Sequence, residues 1–73
     1  MDTSDFRGVW FIASGEQVGI GDLVTTDLDV TGRAEIVEIN SAHGMPVVRV
    51  LSGLRAGDTI AMWPGRLLRK GPR

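Results

Sequence analysis

Apolar residues in this chain come in short runs separated by glycine-rich and polar breaks. No run sustains the i, i+3, i+4, i+7 spacing of an amphipathic helix. The runs predict strands over residues 8–13, 23–26, 33–40, 46–51 and 59–63, with a short Leu67-Leu68-Arg69 segment placed to close the sheet. The breaks between them read as turns. Ser14-Gly15-Glu16 follows the first strand, Gly19-Ile20-Gly21-Asp22 leads into the second, and Ser41-Ala42-His43-Gly44 joins the third to the fourth. Residues 52–58 form a loop with two glycines, and Pro64-Gly65 ends the fifth strand. Pro46 can open a strand, because its missing N–H falls at the edge of the ladder.

Alternation then assigns faces. Ile60 and Met62 point inward, with Thr59, Ala61 and Trp63 on the other face. Val48 and Val50 share one face, and Val47, Arg49 and Leu51 the other. Residues 33–40 carry Ala34 and Ile36 on one side but Val37 and Ile39 on the opposite side, which predicts a bend or bulge within that strand. Short strands at close spacing argue for an all-β barrel or sandwich.

Composition narrows the classes. The chain has 73 residues and no cysteine, so it makes one small domain with no disulfide framework, no cysteine-based zinc site and no thiol nucleophile. Ten glycines are about twice the usual share of ~7%. A domain this small buries only about 60% of its unfolded surface, so its core is marginal, and oligomerisation is a common remedy. No apolar run approaches the ~20 residues that span a membrane. The run Val9-Trp10-Phe11-Ile12-Ala13 is too short for a signal-peptide core and follows acids, so the expected location is cytoplasmic, with no membrane partner.

The net charge of −1 conceals an asymmetry. Residues 1–38 hold eight of the nine acids against Arg7 and Arg33, and residues 39–73 hold six basic residues against Asp58. Either the two halves pair with each other in the fold, or a basic C-terminal half meets an anionic partner.

Several stretches occur in a suggestive order: Gly21-Asp22 opening a strand, Ala34-Glu35-Ile36-Val37-Glu38-Ile39, Ser41-Ala42-His43-Gly44, Val47-Val48-Arg49 and Trp63-Pro64-Gly65. This order resembles a family of small actinobacterial SH3-like barrels of unknown function, over roughly residues 19–68. The resemblance implies a five-stranded SH3-like barrel and no settled activity. Here Val50 follows Arg49 where the family often has Trp, and the first 18 residues are additional. The implied organisation is an N-terminal extension with one strand (residues 1–18), a barrel (residues 19–70) and a frayed tail (residues 71–73). A weaker likeness is to the plasmid-borne dihydrofolate reductases built from four SH3-like barrels. Their pore chemistry uses a Gln-Ile-Tyr run and a lysine, whereas this chain has Ile60-Ala61-Met62-Trp63 and Val24-Thr25-Thr26 in the corresponding stretches.

Candidate chemistry is sparse. His43 is a lone histidine in a turn, which cannot by itself assemble a metal site. Gly19-Ile20-Gly21 precedes a strand, not a helix, so it is no nucleotide fingerprint. Glu35 and Glu38 stand at odd spacing, on opposite faces unless a bulge intervenes. No catalytic residue, cofactor or metal is assigned. Trp63, Arg49, Arg66, Arg69 and Lys70 form a candidate binding surface for stacking and phosphate contact. Trp10, Phe11 and Trp63 form a candidate self-association interface. The expected function is a non-enzymatic binding module acting as a homo-oligomer. The alternatives are an accessory nucleic-acid binder and a pore-type reductase.

Overall fold

The computed structural model describes residues 8–71. Its elements are β1 (Val9–Phe11), β2 (Gln17–Gly19), β3 (Leu23–Thr26), β4 (Asp29–Ile39), β5 (Pro46–Val50), β6 (Thr59–Ala61), a 3-10 turn (Pro64–Arg66) and β7 (Leu67–Lys70). The described chain is all-β, and every strand pairing is antiparallel. β1 and β2 form a hairpin, and the other five strands form one sheet in the order β6-β5-β4-β3-β7. No helix among the described residues is long and apolar enough to cross a membrane.

Two elements depart from the sequence pattern. β2 replaces a predicted break: Val18 pairs with Trp10, and the hairpin partner supplies the ladder that so short a segment cannot specify alone. β4 starts at Asp29, four residues early, and runs through Gly32. At Gly32 a side chain would stand 2.9 Å from the Asp29 carboxylate and 3.0 Å from the Ser52 carbonyl, so this glycine permits a close approach within a strand.

The predicted bend in β4 is present. Its register with β5 shifts between Ile36 and Glu38, with Ile36 opposite Val48 and Glu38 opposite Val47. The extra residue, Val37, reverses the alternation. Ala34 and Ile36 are buried before the bulge, and Ile39 packs against the same core after it. The following turn closes on Asn40, whose Oδ1 accepts the amides of Ala42 at 2.9 Å and His43 at 3.0 Å.

One apolar core holds both sheets. Trp10, Ile12 and Val18 come from the N-terminal hairpin and its turn, and Val24, Ala34, Ile36, Val48, Met62 and Leu67 from the rest. The hairpin is also hydrogen-bonded to its own chain. The Ala13 amide donates to the Leu67 carbonyl at 2.9 Å, and the Lys70 amide donates to Glu16 Oε1 at 2.9 Å. Residues 8–19 thus pack within their own chain and contribute two strands where one was expected. Ile60 and Met62 face inward as predicted, with Trp63 outside.

Candidate binding surfaces

Trp63 follows β6 in an extended conformation, and Pro64 then starts the 3-10 turn, whose Arg66 amide donates back to the Trp63 carbonyl at 2.9 Å. The Trp63 side chain has no place in the core and is 61% exposed. β1 lies against this same turn. Alternation on β1 sends Trp10 inward and leaves Val9 and Phe11 outside, with Phe11 69% exposed. Val9, Phe11 and Trp63 are thus exposed apolar side chains on β1 and just before the turn that β1 contacts.

Trp10 does not belong to it. The ring is part of the core, and its Nε1 donates to the Gly44 carbonyl at 2.7 Å. This corrects its assignment to the interface. Two residues adjacent in sequence on a strand face opposite sides, so Phe11 and Trp10 cannot both be presented to a partner.

The five candidate basic and aromatic residues do not form one patch. Arg49 lies on β5, opposite Glu35 on β4 and Thr59 on β6. Arg69 lies on β7, opposite Thr25. Three strand spacings of about 4.8 Å separate these two arginines across the sheet. Arg66 Nε donates to both Asp27 oxygens, at 2.9 and 3.1 Å, and that carboxylate raises the guanidinium pKa further above its ordinary value. The Lys70 ammonium stands 4.0 Å from Asp22.

The cation missing from the sequence-derived set is Arg33. The β3–β4 register shifts after the Val24–Ala34 pair, but Arg33 of β4 lines the same groove as Thr25, and Arg69 is paired with Thr25 on β7. Together with Lys70, Val30 and Thr31 they line an open groove. The sequence carried no signal for this grouping, because it depends on the order β4-β3-β7.

Glu35 and Glu38 also come out differently. The bulge between them places both on the face shared by Arg49 and Val47. His43 is exposed on its turn. Two other carboxylates are locally satisfied. The Lys70 amide and then the Ser14 hydroxyl hold the Glu16 pKa below its ordinary value. The Thr31 hydroxyl and amide do the same for Asp29. Among the described residues no three His, Cys, Asp or Glu side chains are grouped to hold a metal ion. No family model matches the chain, and no curated protein and no solved structure matches it either.

Proposed function

We propose that this chain is a small SH3-like barrel that serves as a non-enzymatic binding module and associates with copies of itself through Val9, Phe11 and Trp63. The barrel reading is supported by topology. Strands β3 to β6 are successive antiparallel neighbours, and β7 returns after the 3-10 turn to pair with β3. The bulge in β4 adds the curvature that a closed small sheet requires.

The observation that carries the self-association reading is the exposure of Phe11 and Trp63 on neighbouring elements. A small domain with a marginal core gains most by covering its largest exposed rings. Fully burying a phenylalanine side chain is worth about 1.5–3 kcal/mol, and a two-fold contact counts each ring twice. A second copy suits this surface, because a two-fold contact sets the same apolar residues of both copies together with no charge to match.

Tryptophan emission tests this directly. Trp10 is buried in every state, so a change on dilution reports Trp63. The expected result is a red shift as the protein is diluted, absent in Trp63→Phe. An emission maximum independent of concentration from millimolar to nanomolar would count against self-association at this face.

A further inference from the structure

We propose that the groove between β4, β3 and β7 binds the phosphate groups of a nucleic-acid backbone, with Arg33 and Arg69 as its two arms. This is independent of the self-association reading, which rests on different residues. The argument starts from register. Thr25 on β3 is paired with Arg69 on β7, and although the β3–β4 register shifts after the Val24–Ala34 pair, Arg33 of β4 lines the same groove as Thr25 and Arg69. Val24 and Ala34 are core residues, so the neighbouring Arg33 and Arg69 stand on the outer face, on strands that flank β3 from either side. Both are exposed. Side chains of this length converge readily on one group held above Thr25.

Charge makes the arrangement informative. The ion pairs among the described residues are Arg55–Asp58, Arg66–Asp27 and Lys70–Asp22. Neither Arg33 nor Arg69 takes part in one, and no acid lines the groove. Two like charges lining one groove repel each other until an anion lies between them. Lys70 lies at the rim, where its charge is already paired with Asp22.

The mounting is rigid. The Arg33 amide donates to Ser52 Oγ at 3.0 Å, the Leu51 amide donates to the Arg33 carbonyl at 2.7 Å, and Arg69 is fixed by its pairing with Thr25. Arginine forks suit phosphate oxygens. No aromatic lines the groove, so binding rests on the backbone and not on base stacking, and is independent of sequence. Nucleic acid is favoured over an acidic peptide because its high charge density lets two cations gain from counterion release.

The test is fluorescence anisotropy with a labelled random-sequence DNA duplex across a series of salt concentrations. The expected wild-type slope of log affinity against log salt is about −2. Arg33→Gln and Arg69→Gln are each expected to weaken binding about ten-fold at low salt and to reduce the slope by about 1, while Arg49→Gln leaves both unchanged. Amide shifts on titration with the duplex should centre on Thr25, Arg33 and Arg69. The proposal is overturned by no binding at low salt, by wild-type affinity in both groove variants, or by an equal loss in Arg49→Gln. Competition by polyglutamate as effective as that by unlabelled duplex would also overturn it, in favour of an acidic-peptide site.

Discussion

Glu16 fastens one end of the described chain to the other. Its Oε1 accepts the Ser14 hydroxyl at 2.7 Å and the Lys70 amide at 2.9 Å, and both bonds favour the charged carboxylate. The folded-state pKa is therefore below the unfolded one, as it is for Asp29 beside Thr31. A depressed carboxylate contributes stability that is complete above the unfolded pKa and is lost as pH falls through the folded value. The thermal midpoint is expected to fall as pH drops below about 4.5, and less steeply in Glu16→Gln. Parallel pH profiles for the two proteins would show that Glu16 is not part of this linkage. Trp10 offers a second check at the same scale. Trp10→Phe keeps most of the ring but removes the donor to Gly44, leaving that half-buried carbonyl without it. Urea unfolding should register a loss of about 1–3 kcal/mol.

At the scale of elements, the parts legible in the sequence were those whose side chains carry the signal themselves. β5 is a continuous β-branched run broken only by Arg49, and the bend in β4 was visible because apolar residues occupied both parities between Ala34 and Ile39. β2 was not legible, because Gln17-Val18-Gly19 has one apolar residue and becomes a strand only through β1. The early start of β4 was hidden by Gly32, a break by composition but a close-approach position in the fold. Glycines in the residue 52–58 loop separate two such roles. Gly53 and Gly57 both have positive φ, of 92° and 97°. A side chain at Gly57 meets open space, whereas one at Gly53 collides with the Asp29 carboxylate. Gly57→Ala should cost about 1–2 kcal/mol from backbone strain alone. Gly53→Ala should cost more, because the Asp29 carboxylate, whose Oδ1 is bonded to Thr31, must also turn away. Equal urea midpoints for the two variants would contradict this difference.

For the whole molecule, the N-terminal segment is part of one core. Trp10, Ile12 and Val18 are three of its nine residues, so a chain starting at residue 19 is expected to lose cooperative unfolding, as judged by calorimetry. The charge asymmetry of the sequence is partly resolved inside the fold, since Arg66–Asp27 and Lys70–Asp22 join the basic half to the acidic half. Arg33 and Arg69, outside any of these pairs, line one outer groove, and Phe11 and Trp63 are exposed elsewhere. The sequence singled out Trp63 and Arg69. It could not say that Arg33 joins Arg69 in one groove, because that rests on strand order. The central claim is self-association through Phe11 and Trp63, and sedimentation equilibrium tests it most directly. The account predicts a mass that is a multiple of 7.9 kDa for the wild type and 7.9 kDa for the folded Phe11→Ser/Trp63→Ser double variant. A wild-type mass of 7.9 kDa at millimolar concentration, or an unchanged multiple in the folded double variant, would contradict it.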